Sequence, residues 1–347
     1  MTIGDLLTAR ASHFFCCAGE RAATWLDGDL LLESKSGISG FLSDVWHYAR
    51  RVREQAWTQL RDHYPLGPNG DPVMVWWWAN TVPSPDPAMQ GAHTPLVNNW
   101  TLSEEKARHL QVVPVIDKLR RSVSFEIAPG VSNEQPSKSR CIFTNTPISF
   151  QYIRKQGLSR NIRTTMLAFV TAGVSGRNYF SPNDLHVDAA STAVPRNPPE
   201  LSIEEGGLGI RVTNYGVSTW DQVFTSRQQL ALETFAELIA EVPAQVVADG
   251  GSQSYGEAIA TVLGLCLGKL AQTSSKNVQW RIRKGPVPKA ETVFSRADLQ
   301  FMWDFAETNP FGGSVGDWSQ TVKTSLRAFE FVEPKAPQAI VRQEDAR

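Results

Sequence analysis

Cysteine is scarce in this chain: 4 among 347 residues, at Cys16, Cys17, Cys141 and Cys266. An adjacent pair and two distant singles make neither a disulfide framework nor two Cys-x-x-Cys pairs, so a reducing compartment is expected. Long hydrophobic runs are missing too. The longest apolar stretch, Ala258 to Leu270, is interrupted by Thr261, Gly264, Cys266, Gly268 and Lys269. It is too short to span a bilayer and reads as a buried helix. The first fifteen residues carry Asp5 and Arg10 and show no export signal. Charge of one sign is also lacking: 34 Lys and Arg stand against 35 Asp and Glu, a formal net charge of -1. No polybasic chain and no acidic tail fits that balance. The expectation is a cytoplasmic protein with no membrane partner.

What is present in unusual amount is tryptophan, 11 residues. Trp is costly to expose and serves cores, interfaces or stacking platforms. With 41% hydrophobic and 20% charged residues, a sizeable core is affordable and wholesale disorder is excluded.

The patterning predicts an α+β protein with helical core segments and a small β-rich module. Residues 40 to 62 read as an amphipathic helix, because Leu42, Val45, Trp46, Ala49, Val52, Ala56 and Leu60 recur at spacings of three and four. Val73 to Trp78 reads as a buried strand. Short β-type runs follow at Val112 to Ile116, Val123 to Ile127 and Cys141 to Thr144. Ser181 to Tyr215, rich in Pro and Gly, reads as a poorly structured connector. Thr225-Ser-Arg-Gln fits a capping box. The stripe Leu230, Thr234, Phe235, Leu238 and Ile239 then predicts a helix ended by Pro243. Further helices are expected over Tyr255 to Gln272 and, as an amphipathic segment, Asp298 to Glu307. The expected blocks are 1–39, 40–170, 171–224 (the connector) and 225–347.

The balanced net charge conceals an asymmetry. From Thr101 to Arg163, eleven basic residues face five acidic ones, an excess of six. From Lys276 to Lys289 there are five cations and no acid, with Trp280 inside the run. Clustered cations with interleaved aromatics suit a phosphate backbone, since neutralising phosphates releases counterions. A solvated basic face is the plain alternative. Arg281, Arg283 and Lys284 are the leading phosphate-contact candidates, with Trp280 for stacking; Arg154, Lys155 and Arg160 come next.

Catalytic patterns are absent. There is no HExxH or CxxC. Phe311-Gly-Gly-Ser-Val-Gly is Gly-rich, but no strand is expected before it, so it reads as a turn. His186 with Asp184 and Asp188 resembles a metal corner and reads as accidental.

Several segments together resemble one family, the adenine-specific DNA methylases that contain a zinc ribbon. They are Leu42-Ser-Asp-Val-Trp-His-Tyr-Ala, Val75-Trp-Trp-Trp-Ala-Asn-Thr-Val-Pro-Ser-Pro-Asp-Pro, Ser139-Arg-Cys-Ile-Phe-Thr-Asn-Thr-Pro-Ile and Tyr152-Ile-Arg-Lys-Gln-Gly. The most specific are Phe224-Thr-Ser-Arg-Gln-Gln-Leu-Ala-Leu and Met302-Trp-Asp-Phe-Ala-Glu-Thr-Asn-Pro-Phe, with Arg342-Gln-Glu-Asp-Ala near the end. The resemblance covers about residues 40 to 345. It implies a degenerate zinc-ribbon module within an incomplete Rossmann-like methyltransferase of the kind found in restriction-modification.

Two departures limit what it implies. The ribbon's ligand positions hold Ser84, Met89, Cys141 and Thr144, so Cys141 is a lone remnant and zinc is not expected even with His93 nearby. Packing of Trp76, Trp77, Trp78 and Trp100 is expected to hold the loop instead. The family's Gly-rich loop for S-adenosylmethionine and its Pro-Pro-aromatic motif, which stacks on the flipped adenine, flank the matched region. Neither occurs here, and Asn197-Pro-Pro-Glu200 lacks the ring. The implied function is therefore an internal, recognition-like methylase segment, inactive alone, that contacts DNA and binds no cofactor by itself. Alternatives are a subunit of a split methyltransferase completed by complementary chains, which would bring S-adenosylmethionine, and a non-functional remnant whose first 39 residues come from elsewhere.

Overall fold

The computed structural model describes residues 38–105, 108–130, 137–173, 176–282, 289–292 and 298–331. The expectations for residues 1–37, Arg283, Lys284 and the segment from Arg342 lie outside them. In chain order the elements are α1 (Ile38–Leu60), β1 (Val73–Pro83), β2 (His93–Pro95), β3 (Thr101–Glu105), β4 (Arg108–Asp117) and β5 (Ser122–Pro129). Then come α2 (Phe150–Leu158), β6 (Arg163–Gly173), β7 (Gly176–Phe180), α3 (Asp184–Ser191), α4 (Ser226–Ala248) and α5 (Gln253–Thr273). The last are β8 (Val278–Arg281), β9 (Lys289–Thr292), β10 (Asp304–Thr308) and α6 (Trp318–Leu326). The fold is α+β, and no described helix is long and apolar enough to cross a membrane.

Two compact units emerge, each assembled from segments distant in sequence. One gathers residues 38–60, 231–270 and 318–331; the other comprises Arg61–Leu230 and Ala271–Asp317. The first is helical. The α1 stripe buries Val45, Ala49, Val52, Ala56 and Leu60, as its spacing requires. Trp318 is fully buried, with its ring centroid 4.8 Å from that of Phe235 and its indole N–H donating to the Ala49 carbonyl at 2.8 Å. Pro243 does not end α4. The helix continues to Ala248, because Ile239, Val242 and Val246 are buried on either side and offset the lost backbone bond, worth roughly 3 kcal/mol.

The second unit is built on a five-stranded sheet in the order β10-β1-β6-β7, with β2 also pairing with β1. All its pairings are antiparallel. The run Val73-Met-Val-Trp-Trp-Trp forms the central strand, with both faces covered. Trp77 lies opposite Ala168 on one side and Ala306 on the other, so small neighbours make room for the large ring. Its face packs with Trp100, Leu102, Phe125 and Trp280, where the β3-β4-β5 meander and the β8-β9 hairpin contribute. Trp76, on the opposite face, has Phe169 and Glu307 as cross-strand partners.

Three further expectations need correction. Asp298 to Glu307 is not helical: Asp304–Thr308 forms β10, drawn into the sheet beside β1 by burial of Phe305 and Ala306. Cys141 to Thr144 is a turn, closed by Cys141 N–H to the Thr146 carbonyl and by Asn145 at φ 61°. The connector is ordered: it holds β7, α3 and two short turns, Val212–Tyr215 and Trp220–Val223, packed around Ile203, Val212, Val223 and Leu299. The capping box stands as expected. Gln228 Oε1 accepts from Thr225 N–H at 2.9 Å, and Thr225 Oγ1 accepts from Gln228 N–H at 3.1 Å.

Candidate nucleic-acid interface

A cavity of about 360 Å³ opens in the sheet unit, lined among others by Arg160, Arg163, Tyr215, Lys276, Asn277 and Phe301. Its wall depends on a glycine pair. A Cβ at Gly157 would lie 2.2 Å from the Tyr215 carbonyl, and one at Gly216 would lie 2.1 Å from the Gly157 carbonyl. Gly216 also has φ 82°, a conformation that disfavours side chains. Only hydrogens at both positions let α2 seat against the Val212–Tyr215 turn. Tyr215 then stacks on Phe301, centroids 4.5 Å apart, with Trp303 edge-on at 5.6 Å.

The cations converge from two distant stretches. Arg160 follows α2 with φ 56°, unusual for a side chain with a Cβ, and its N–H bonds the Gly157 carbonyl at 2.9 Å. Arg163 begins β6. Both are exposed. The Arg154 guanidinium carbon lies 5.7 Å from the Tyr215 centroid. Lys276, half-buried, donates to the Gln222 carbonyl at 3.0 Å. Desolvation by burial lowers its pKa, while Asp221 and Glu307 act in the opposite direction. No carboxylate lines the cavity among the described residues. Asn277 is 3% exposed, and its Nδ2 has no hydrogen-bond partner among the described residues.

The remaining sequence candidates lie elsewhere. Lys155 is exposed on α2, and Arg281 pairs with Glu291 at 3.0 Å. Trp280 is buried; its indole N–H donates to the Leu102 carbonyl at 2.9 Å and Arg177 lies over its ring at 5.9 Å. It is a core residue, so its ring offers no stacking face to a base. Sequence reasoning counted Arg163 and Lys276 in the basic stretches without singling them out. It passed over Tyr215, Asn277 and Phe301, which carry no local signal.

The positions assigned to a metal ribbon do come together, with different chemistry. Ser84 Oγ and Cys141 Sγ are 3.2 Å apart. Thr144 Oγ1 bonds Thr146 Oγ1 at 2.8 Å, and Thr146 Oγ1 donates to Asp86 Oδ2 at 3.4 Å. Cys141 packs with Val82, Leu96, Phe143, Ile148 and Ile153, with Met89 against them. The tryptophans named above are not in that cluster, so aliphatic side chains and Phe143 hold the turns instead. One thiol, two hydroxyls and a thioether do not fit tetrahedral zinc. His93 is bonded to Thr81 Oγ1 at 3.0 Å. Among the described residues no cluster of three or more His, Cys, Asp or Glu could hold a metal ion. Nor is there a metal corner at His186. That ring is 1% exposed, accepts from the Trp76 indole at 3.1 Å and lies 4.0 Å from Phe169. Burial, then Arg227, pushes its pKa down to about 4, so it is neutral at pH 7.

The Gly-rich segment Phe311 to Gly316 does follow a strand, β10, contrary to the expectation. It does not fit S-adenosylmethionine. A Cβ at Gly312 would meet the Val73 carbonyl at 2.6 Å, one at Gly316 would meet Thr308 Oγ1 at 2.3 Å, and Gly313 N–H already donates to Asp317 Oδ2 at 3.0 Å. Beside it lies the most buried ion pair described. Arg227 grips Glu307 with Nε at 3.1 Å and Nη2 at 2.7 Å, both side chains 1% exposed, and lies 3.9 Å above the Trp76 ring.

No protein-family model, curated protein or solved structure matches the chain.

Proposed function

We propose that this chain is the internal, recognition-like part of an adenine-specific DNA methyltransferase, inactive alone, that contacts DNA through its cation-lined cavity. The observation that carries the reading is the convergence of two basic stretches. Arg160 and Arg163 come from one and Lys276 from the other, more than a hundred residues on, with Arg154 alongside and no carboxylate among the described residues of the lining. Such a surface attracts phosphate. The contact of Ser84 with Cys141 supports the ribbon resemblance, since it brings the two turns together where a metal would have bridged them. In this reading the antiparallel sheet and its meander are an insert carried by a Rossmann-like enzyme whose cofactor loop and Pro-Pro-aromatic motif lie on other segments or on complementary chains. The location is the cytoplasm.

Titration of labelled duplex DNA with the full chain at several salt concentrations tests this. Binding should weaken linearly in log–log form as salt rises. The double variant Arg160→Ala/Arg163→Ala should reduce that slope by about 2, close to one counterion per phosphate contact. No transfer of a labelled methyl group is expected. Absence of binding at low salt would remove the DNA-contact half of the reading.

A further inference from the structure

We infer that the tip of the β4–β5 hairpin is a second DNA contact, in which Leu119 enters the minor groove as a wedge between base pairs while Lys118 and Arg120 hold the flanking phosphates. The inference rests on the DNA reading and adds a contact from another part of the sheet unit. Four residues, Lys118-Leu-Arg-Arg121, join Asp117 to its strand partner Ser122. All four are exposed, and Leu119 is 97% exposed among three cations. Its position is held by the turn. Asp117 Oδ1 accepts from Leu119 N–H at 3.0 Å and from Arg120 N–H at 2.9 Å. Arg121 turns the chain at φ 55° and donates from Nη1 to the Gln90 carbonyl at 2.9 Å. Further down the hairpin, Val112 and Phe125 are buried, and the Phe125 ring stacks 6.2 Å from that of Trp100. Ser122, Val123 and Ser124 separate Phe125 from the turn, so the tip reaches roughly 10 Å beyond that anchor.

The chemistry selects the partner. Burying a leucine is favourable, and a fixed turn that presents one between cations matches the apolar wedges that minor-groove proteins push between base steps. The exposed apolar group is small: Leu119, with Val115 at 42% and Ile116 at 37%. That is enough for a wedge and far less than a stable protein interface buries. A lone side chain also fits the minor groove, about 6 Å wide. Lys118 and Arg120 stand on either side of the leucine, where the phosphates that border the groove would lie. The tip's one carboxylate offers little opposition. Asp117 is engaged by the N–H groups of the turn, and its 3.7 Å contact with Arg120, an exposed pair, yields readily to phosphate.

The test titrates the full chain into a duplex labelled at both ends for energy transfer, with 2-aminopurine at a central TA step. The duplex should bend, and the 2-aminopurine fluorescence should rise as the step unstacks. Leu119→Ala should abolish both signals and weaken binding about tenfold while the salt slope stays the same. Leu119→Phe should restore them. Lys118→Ala/Arg120→Ala should lower the salt slope by about 2. All three positions are exposed, so the circular dichroism of these variants should match that of the wild type. Salt-sensitive binding without bending, indifferent to Leu119→Ala, overturns the inference and leaves the cavity reading standing. Leu119-dependent bending with an affinity untouched by Arg160→Ala/Arg163→Ala supports the hairpin contact and removes the cavity from the DNA reading. Failure of the duplex to bind at low salt overturns both. Sedimentation with phosphatidylserine–phosphatidylcholine vesicles separates the other partner: Leu119-dependent vesicle binding without duplex binding assigns the tip to an anionic bilayer and overturns the DNA contact.

Discussion

Removing one member of the Arg227–Glu307 pair should be among the most destabilising single changes in the sheet unit. Glu307 accepts three hydrogen bonds, from Arg227 Nε and Nη2 and from Thr225 Oγ1 at 2.7 Å. Arg227 also donates to the His63 carbonyl at 3.0 Å and lies over Trp76 and Tyr64. At 2.7 Å and an effective dielectric near 20, the attraction is about 6 kcal/mol. Desolvating both ions costs a similar amount, so the intact pair contributes little net stability. Breaking it is another matter. Glu307→Leu leaves a guanidinium 1% exposed with one carbonyl for company, and Arg227→Met leaves a buried carboxylate. Each should cost about 3–5 kcal/mol. The double variant removes both charges and should cost much less than the sum of the singles, a coupling of several kcal/mol.

Urea unfolding, followed by tryptophan fluorescence and far-ultraviolet circular dichroism, gives the four corners of that cycle. Trp76 lies directly under the guanidinium, so its indole is one of the eleven that contribute to the signal. Single variants that each lose less than about 1 kcal/mol, or a double variant that is simply additive, would refute the account of the pair as strongly coupled and buried.

Three more outcomes are expected. Gly216→Ala forces a Cβ against the Gly157 carbonyl at φ 82° and should cost at least 1–3 kcal/mol in urea unfolding; a neutral substitution would contradict the close approach of α2. His186 has a folded pKa of about 4 against an ordinary 6.5, so the unfolded chain binds the extra proton between those values. Its stabilising contribution should be complete above pH 6.5 and fall by up to about 1.4 kcal/mol per pH unit toward pH 4; a His186→Asn variant whose acid profile is unchanged in slope contradicts this. The triple variant Ser84→Cys/Met89→Cys/Thr144→Cys should bind one equivalent of zinc beside Cys141, measured by metal content after chelator dialysis, and a metal-free product counts against the ribbon reading.

Much of the fold was legible where periodicity and local chemistry act alone. The α1 stripe, the Val73 strand, the Val112 and Val123 runs, α5 and the Thr225–Gln228 box all depend on residues a few positions apart. The failures occur where distant partners decide. Asp298 to Glu307 carries an ambiguous pattern, and only a tryptophan-rich strand more than two hundred residues earlier makes its second half a strand. Pro243 persists inside α4 because both neighbouring turns are buried. For the site, composition identified the basic stretches, from which Arg160 lines the cavity and Arg154 lies over the Tyr215 ring. It could not rank Lys276 above Arg281, since their difference is that one lines a cavity and the other is paired with Glu291. Trp280 shows the same limit: an aromatic among cations looks like a stacking platform until its indole is found bonded to the Leu102 carbonyl.

On the proposed reading, the two turns at Ser84 and Cys141 bear on how a ribbon-like module could dispense with metal. Structural zinc supplies apparent binding energies of about 10–16 kcal/mol in small fingers that have little else to fold around. Here the turns rest on Val82, Leu96, Phe143, Ile148 and Ile153, all at most 5% exposed, and burying five such side chains is worth roughly 7–15 kcal/mol. The comparable size explains why hydroxyls and a thioether can stand at ligand positions without the turns separating. Each turn also closes its own polar groups: Asp86 Oδ1 accepts from Ala88 N–H at 2.9 Å, and Cys141 N–H from one side of its turn reaches the Thr146 carbonyl at 2.8 Å. On the proposed reading, then, metal was a redundant clamp on a joint already packed. On that reading its loss would leave in place what lies beyond the joint, namely α2, the Gly157–Gly216 contact and the cation-lined cavity, so the proposed DNA contact would not depend on a metal.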